Sequence, residues 1–189
     1  STCTCRSGSA RGRTPVRPPR TTAPASWPTR PNTRRCDPTS SPLPAVNETR
    51  WREWARLQAD GEVALWFTVD GFFWFARSLL GIEPHLYAFF DQPELMHRIN
   101  RDLTDFILKV VDEVCAICTP DFMTFGEDMS YNHGSMLSKD LFDEFMAPYY
   151  ARILPVLKDH GVLTVIDSDG DITVPAYWFE DAGLQGILP

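Results

Sequence analysis

Three stretches of the chain share one pattern, in which an apolar run is followed directly by acidic residues. Residues 62–70 read Glu-Val-Ala-Leu-Trp-Phe-Thr-Val-Asp, residues 121–128 read Asp-Phe-Met-Thr-Phe-Gly-Glu-Asp, and residues 162–169 read Val-Leu-Thr-Val-Ile-Asp-Ser-Asp. Short apolar runs rich in β-branched and aromatic side chains are typical of buried strands. The pattern predicts three strands, each of which ends in carboxylates.

Helical patterns fill the interval between the first two strands. A short aromatic helix is predicted over about 72–80, because Gly81 is a favourable residue just after a helix end. A long helix is predicted from Asp91, as an N-cap acid, to about residue 117. Its apolar side chains recur at steps of three and four, which predicts one buried stripe: Leu95, Ile99, Leu103, Phe106, Val110, Val114 and Ile117.

Two more helices continue the alternation. The first is expected to begin after Ser138, to kink at Pro148, and to bury an apolar stripe of Phe142, Phe145, Tyr149, Ile153 and Val156. The second is predicted over about 173–182, with Asp171 as its cap, and a fourth strand begins at Gly186. Strands that alternate with helices in this way form a parallel sheet.

The acids at the strand ends favour one α/β architecture over another. A (β/α)8 barrel, or TIM barrel, carries its chemistry at the carboxyl ends of its strands. A doubly wound sheet is less favoured, because no glycine-rich phosphate loop follows any of the strands. A complete barrel needs about 250 residues, so residues 47–189 are predicted to form about half of one.

Residues 1–46 have a different composition from the rest of the chain. They contain eight Arg, no Lys, one acid and nine of the 16 Pro. Because large apolar side chains are almost absent, this segment cannot offset its ordering entropy, and we predict a disordered tail before the barrel domain. Its composition is also what an out-of-frame translation would produce, and we assign it no function.

The composition of residues 47–189 restricts the class of protein. This segment has a net charge of −14, and nucleic acid is not expected as a partner, since the basic tail has no interleaved aromatic side chains on which bases could stack. No run of about 18 apolar residues indicates a membrane span. Cys115 and Cys118 have the spacing of a metal or redox pair, but no second pair accompanies them, so a packing role is favoured. We predict a reduced, cytoplasmic protein.

Candidate site residues lie at the predicted strand ends. Neighbouring residues of a strand point to opposite sides, and we expect Glu127 to face the barrel mouth while Asp128 braces the next loop. Asp167 and Asp169 are two residues apart, which suits a carboxylate pair or oxygen ligands to a divalent metal. We therefore predict Glu127 and Asp167 as catalytic residues, and Asp167, Asp169 and Glu127 as metal ligands; loop capping is the alternative for the two aspartates.

The loop after the second strand adds three candidates. His133 is a possible proton carrier near neutral pH and is predicted as the third catalytic residue, with a solvated histidine as the alternative. Tyr131 and Asn132 are predicted to bind substrate through hydrogen bonds. Trp74 is predicted to bind substrate as well, with a place in the core or in the barrel-mouth wall as the alternative.

Several segments resemble the uroporphyrinogen decarboxylase superfamily in order and spacing. They are Asp91-Gln-Pro-Glu-Leu-Met96, Glu127-Asp-Met129 and Phe142-Asp-Glu-Phe-Met-Ala-Pro-Tyr-Tyr150, followed by Asp167-Ser-Asp-Gly-Asp171 and Ala182-Gly-x-x-Gly186 as in an uncharacterised branch. The resemblance implies a (β/α)8 barrel. It also implies one of two activities, a cofactor-free porphyrinogen decarboxylase or a zinc-dependent methyltransferase that acts on corrinoid-bound methyl groups.

The resemblance covers about residues 50–189 and departs from both activities. The Arg-rich motif of the decarboxylases is missing, and Leu79 stands where their catalytic tyrosine is expected. Asp167-Ser-Asp169 stands where the methyltransferases have their His-x-Cys zinc pair. Because an acidic domain would repel a polycarboxylate porphyrinogen, we expect methyl transfer that involves a corrinoid partner protein and a small or tetrapyrrole-linked substrate.

Two alternatives to methyl transfer stay open. The first is decarboxylation of uroporphyrinogen in porphyrin biosynthesis, and the second is a barrel that binds a ligand without converting it. A divalent metal is the one cofactor that the residues suggest for the chain itself. Since half of the barrel is expected to be missing from the 189 residues, we expect the chain alone to be inactive.

Overall fold

The structure is a computed structural model that describes residues 46–188. The predicted tail lies outside the described residues apart from Val46. None of the helices in residues 46–188 combines the length and the hydropathy that a membrane span requires. The predicted mixed α/β class is confirmed, since seven helices of residues 46–188 accompany a four-stranded parallel sheet.

The four parallel strands occur in the sheet in the same order as in the chain. They are β1 (Trp66–Asp70), β2 (Phe122–Gly126), β5 (Leu163–Asp167) and β6 (Gly186–Leu188). Between β2 and β5 a small antiparallel hairpin forms from β3 (Ser130–Tyr131) and β4 (Gly134–Ser135). The three apolar runs that decide the fold are therefore neighbouring strands.

The helices are grouped by the strands that they connect. Before β1 lies α1 (Glu48–Ala59); β1 and β2 are joined by α2 (Phe72–Leu80), α3 (Ile82–Asp91) and α4 (Pro93–Cys115). The connection from β2 to β5 contains α5 (Lys139–Phe145) and α6 (Ala147–Asp159), and α7 (Pro175–Asp181) leads to β6. Neither α1 nor α3 was predicted from the sequence.

The long helix α4 differs from its prediction at its start and on its buried face. Because α3 extends to Asp91, the N-cap residue of α4 is Gln92, and Asp91 does not cap it. The predicted stripe is shifted in part, since Leu95 is 37% exposed and Phe106 is 53% exposed. The face that packs inward consists of Met96, Asn100, Leu103, Thr104, Ile107, Val110, Val111 and Val114.

Two further local predictions are wrong. The predicted kink at Pro148 is a break at Met146 between α5 and α6, and Pro148 occupies the first turn of α6, where proline is well tolerated. Asp171 does not cap α7, whose N-cap residue is Val174. The Asp171 carboxylate instead accepts a hydrogen bond from the Thr173 N–H at 3.0 Å.

The sheet has one face in the core and one that carries polar groups. Val69, Met123, Phe125 and Ile166 are buried in the main apolar cluster together with side chains of α2, α4 and α6. On the other face, Thr68 and Thr124 share a hydrogen bond of 2.6 Å between their hydroxyl oxygens, and the Trp66 and Phe122 rings stack at 5.3 Å. This second face leads at its carboxyl end to the acidic residues.

Candidate functional site

Four aspartates gather in one pocket at the carboxyl end of the parallel sheet. Asp70 and Asp167 are the last residues of β1 and β5, while Asp128 and Asp169 lie in the loops after β2 and β5. The pocket has a volume of about 310 Å³ and is called the acidic pocket below. Its lining consists of Thr68, Asp70, Trp74, Gly126, Asp128, Asp167 and Asp169.

The register of the sheet explains why these carboxylates meet. Asp70, Gly126 and Asp167 are direct partners across three neighbouring strands, so they form one row. Gly126 contributes no side chain, which leaves open space between the two aspartates of the row. The Asp167 carbonyl accepts the N–H groups of Glu127 at 2.9 Å and Asp128 at 3.3 Å, which fixes the loop after β2.

Negative charge dominates the acidic pocket. The Arg77 guanidinium lies 3.8 Å from the Asp128 carboxylate and 4.7 Å from the centre of the Trp74 ring. Asp70, Asp167 and Asp169 form no ion pair with any of the described residues. Because one arginine faces four carboxylates, the pocket attracts cations.

The expected orientation of Glu127 is wrong. Its side chain is fully buried, and its two carboxylate oxygens accept the N–H groups of Phe72 and Phe73, each at 2.8 Å. The Tyr150 hydroxyl donates a further hydrogen bond to the same carboxylate. The physical reason is that α2 begins directly after β1, so that its free N–H groups and its dipole attract a carboxylate into the helix layer.

Glu127 and Asp128 therefore have the opposite orientations to those predicted. Asp128 lines the acidic pocket, whereas Glu127 is not among its lining residues. Asp128 has a φ of +37°, in the left-handed region that aspartate enters more readily than most residues. The chain turns away from β2 at Asp128, and the Asp128 side chain lies beside Arg77.

Burial raises the pKa of Glu127 to about 7, because the ionised carboxylate is removed from water. The hydrogen bonds from Tyr150 and from the backbone of Phe73 and Phe72 act in the opposite direction, since they stabilise the ionised form. Burial, followed by the charge of Glu127, raises the pKa of Tyr150 well above its ordinary value. The carboxyl group can thus gain or lose a proton near neutral pH inside the core.

The three predicted metal ligands do not come together in the residues that the structure describes, and a divalent metal stays a prediction. Within residues 46–188, no group of three or more His, Cys, Asp or Glu side chains could hold a metal ion. Glu127 is committed to the start of α2, which removes the third predicted ligand from Asp167 and Asp169. Burial also raises the pKa values of the Cys115 and Cys118 thiols, which disfavours the thiolates that zinc prefers.

The predicted residues of the β3–β4 hairpin do not line the acidic pocket, but the hairpin packs against the loop after β5 that carries Asp169. The Tyr131 carbonyl accepts the Asp171 N–H at 2.9 Å, and its ring meets that of His133 edge-on at 5.8 Å. A side chain at Gly170 would place its Cβ 2.8 Å from Tyr131 Cα, so the hairpin packs tightly on this loop. Roles for Tyr131, Asn132 and His133 in binding or catalysis stay predictions.

Sequence reasoning placed Asp167, Asp169 and Trp74 in the site, and all three line the acidic pocket. It did not select Asp70, although that residue ends a predicted strand and had the same signal as Asp167. It also did not select Arg77 or Tyr150. Arg77 lies on α2, and it contacts Asp128 in the loop after β2. Because the two residues are distant in sequence, no local pattern predicts this contact.

Comparisons of the chain with models of protein families, with curated proteins and with solved structures found no match. The resemblance drawn from the sequence motifs therefore stays a prediction, and function is inferred from the geometry of the acidic pocket.

Proposed function

We propose that residues 47–189 form about half of a (β/α)8-barrel enzyme that resembles the uroporphyrinogen decarboxylase superfamily, and that the acidic pocket binds the cationic group of a small substrate. The proposed reaction is methyl transfer that involves a corrinoid held by a partner protein. The observation that carries this proposal is the convergence of four aspartates at the carboxyl ends of three parallel strands.

The order of the strands supports the barrel. All neighbouring strands of the four-stranded sheet are parallel, and their order in space follows their order in the chain. A doubly wound sheet reverses its strand order at the crevice where ligands bind. A barrel has no such reversal, and it places its active site where the acidic pocket lies.

The lining of the acidic pocket supports a cationic ligand. Asp70 and Asp167 flank the space above Gly126, and Asp169 adds a third carboxylate without an ion pair among the described residues. The Trp74 ring lies in the same lining, and the Arg77 guanidinium already lies over that ring at 4.7 Å. A volume of about 310 Å³ accommodates a small molecule.

The same charges bear on the choice between the two activities that the resemblance implies. A porphyrinogen substrate carries many carboxylates, and four aspartates would repel them. Arg77, the arginine beside this pocket, already contacts Asp128. Methyl transfer from a cationic substrate is therefore better supported than decarboxylation. The methyl–nitrogen bond of a quaternary ammonium ion breaks, the methyl group passes to the reduced corrinoid of the partner protein, and the neutral tertiary amine leaves.

The proposal is tested by measuring the binding of tetramethylammonium to the full chain, with calorimetry or NMR as the method. We expect Asp167→Asn to weaken binding about fivefold, which corresponds to about 1 kcal/mol. The matched control is Asp140→Asn, which neutralises an exposed aspartate of α5 outside the pocket and should leave binding unchanged. Equal weakening by both variants would contradict a specific site.

A second ligand separates the two activities. Uroporphyrin, a fluorescent polycarboxylate, should bind more weakly than tetramethylammonium and should not compete with it. Tight binding of uroporphyrin that depends on Asp167 would instead favour the decarboxylase. Because the chain alone is expected to be inactive, the reaction class is tested in a protein that contains the complete barrel. The absorption spectrum of methylcobalamin should report loss of its methyl group when trimethylamine, the neutral product, is present as the acceptor.

A further inference from the structure

Helix α2 carries a cation beside the acidic pocket. Trp74 and Arg77 are three residues apart on α2, so they lie on the same side of the helix. The Arg77 guanidinium lies over the Trp74 ring at 4.7 Å from its centre, within the range of a cation–π contact. The ring belongs to the lining of the acidic pocket, whereas Arg77 does not. One aromatic group of the pocket wall is therefore already in contact with a positive charge of the chain itself.

Arg77 also contacts a carboxylate of the same wall. Its Nη1 atom lies 3.8 Å from Asp128 Oδ2 and donates a hydrogen bond of 3.4 Å to the Asp128 carbonyl oxygen. Strong guanidinium–carboxylate pairs are shorter, at about 2.7–2.9 Å, and often have two hydrogen bonds. Both side chains also keep contact with solvent, since 25% of Arg77 and 36% of Asp128 are exposed. Because the pair is long and partly solvated, little free energy opposes its separation.

The two groups that Arg77 contacts are those that suit a quaternary ammonium ion. Such an ion has no N–H donor, and aromatic faces are its characteristic partners in proteins. Trp74 and Asp128 offer an aromatic face and a carboxylate in the lining of one pocket. While Arg77 stays in place, an entering cation meets a like charge there, and it can approach only the pocket's other carboxylates without repulsion.

We propose that Arg77 is a specificity-determining residue, which competes as a tethered cation with the cationic group of the substrate for Trp74 and Asp128. The inference rests on the proposed function, because it requires that the acidic pocket binds a cation. A ligand that displaces Arg77 must replace its contacts with the ring and the carboxylate. A quaternary ammonium ion can do so, whereas a strongly hydrated ammonium ion gains less from the ring. Arg77 thus favours quaternary over primary cations.

The test compares tetramethylammonium binding by calorimetry to the full chain, to Arg77→Gln, to Trp74→Leu and to the double variant. We expect Arg77→Gln to raise the affinity about fivefold, because the ring and the carboxylate become free. Trp74→Leu alone should change the affinity less than about twofold, since Arg77 already occupies the ring. In the Trp74→Leu background, Arg77→Gln should raise the affinity only about twofold, through Asp128.

Arg77→Lys keeps the charge and is the second variant, which also serves if Arg77→Gln alters the circular dichroism spectrum. Because the lysine ammonium is strongly hydrated and does not stack as a guanidinium does, it should leave the ring more readily, and the affinity for tetramethylammonium should rise about twofold. Ammonium ion is the second ligand. Its affinity should rise less than that of tetramethylammonium in Arg77→Gln, whereas simple removal of a charge would raise both equally.

The matched control is Arg152→Gln, which removes an arginine of α6 that is paired with Asp105 of α4. It should leave tetramethylammonium binding unchanged. The inference is overturned by equal gains from Arg77→Gln with and without Trp74, or by an unchanged affinity in both Arg77 variants. The proposed function survives either result as long as Asp167→Asn weakens binding. If tetramethylammonium binds to none of these proteins, the proposed function and this inference fail together.

Discussion

Glu127 and Asp128 are consecutive acids at the end of one strand, and they occupy opposite environments. Glu127 is fully buried and is held by two backbone N–H groups and the Tyr150 hydroxyl. Asp128 is partly exposed in the acidic pocket beside Arg77. The buried acid links β2 to α2 and α6, whereas the exposed one belongs to a group of carboxylates that share a solvated pocket.

The comparison separates two uses of a carboxylate. A buried carboxylate without a cation must be satisfied by hydrogen bonds, and its removal leaves their donors unpaired in the core. A solvated carboxylate contributes little to folding, because water screens its interactions, but it remains available to a ligand. We therefore expect the buried group around Glu127 to determine stability and the acidic pocket to determine binding.

The largest expected effect is that of Glu127→Ala. The substitution leaves the N–H groups of Phe72 and Phe73 and the Tyr150 hydroxyl without their acceptor, which should lower the free energy of unfolding by at least about 3 kcal/mol. Asp128→Asn, the matched control, should change it by less than about 1 kcal/mol. Urea unfolding of both variants measures the difference, and similar losses would remove the contrast between the two acids.

The pH dependence of stability comes next. Because the folded pKa of Glu127 is about 7 and its ordinary value is 4.5, the folded state binds the proton more tightly than the unfolded state. This contribution is fully present below pH 4.5 and is lost as the pH rises through about 7, which amounts to about 3 kcal/mol.

Comparison with Glu127→Gln, which cannot titrate, isolates this effect. The stability of the unchanged chain relative to the variant should fall between pH 5 and pH 8. Burial, then the charge of Arg77, lowers the pKa of His85 to about 4, so His85 gives the opposite slope, but that slope is present in both proteins and cancels. A difference that stays constant over this range would show that Glu127 keeps an ordinary pKa.

The third effect concerns the space around the buried carboxylate. A Cβ at Gly71 would lie 2.2 Å from Glu127 Cδ, so Gly71→Ala must displace Glu127 or the start of α2. We expect a loss of about 1–3 kcal/mol in thermal or urea unfolding. At Gly126 the nearest atom is 3.8 Å from the added Cβ, and Gly126→Ala should cost less than about 1 kcal/mol. Equal costs would indicate that α2 adjusts freely.

The smallest effect is expected in the acidic pocket. Asp167→Asn removes one of four like charges and should raise the free energy of unfolding by up to about 0.5 kcal/mol at low salt. The gain should disappear at high salt, because counterions screen the repulsion. Asp143→Asn, which removes the partner of Lys139, is the control and should show no gain. A clear loss of stability in Asp167→Asn would mean that this carboxylate has a structural partner.

Much of the fold followed from local patterns. The apolar runs predicted β1, β2 and β5, and Gly81 correctly marked the end of α2. Helix α3 was not predicted because its apolar residues do not form a single stripe, since both of its sides are apolar. The stripe of α4 was assigned partly to the wrong side, because Asn100 and Thr104 are polar and yet lie in the core.

The polar residues of α4 show how tertiary contacts override the pattern. Asn100 donates to the Phe145 carbonyl at 2.6 Å, and Thr104 donates to the Asn100 carbonyl at 2.7 Å. These hydrogen bonds satisfy the Asn100 amide nitrogen and the Thr104 hydroxyl in the core, whereas Asn100 Oδ1 is buried without a partner among the described residues. Since the acceptor on Phe145 is 45 residues away, no window of sequence around Asn100 indicates it.

The sequence by itself determined that acids follow the strands, that the strands are parallel, and that Glu127 and Asp128 point to opposite sides. Which of the two acids faces the pocket was decided by the tertiary structure. Met123, Thr124 and Phe125 are all buried, so β2 shows no alternation that would reveal its core side. The choice depends on α2, whose first N–H groups need an acceptor, and on Tyr150, which α6 brings to the same point.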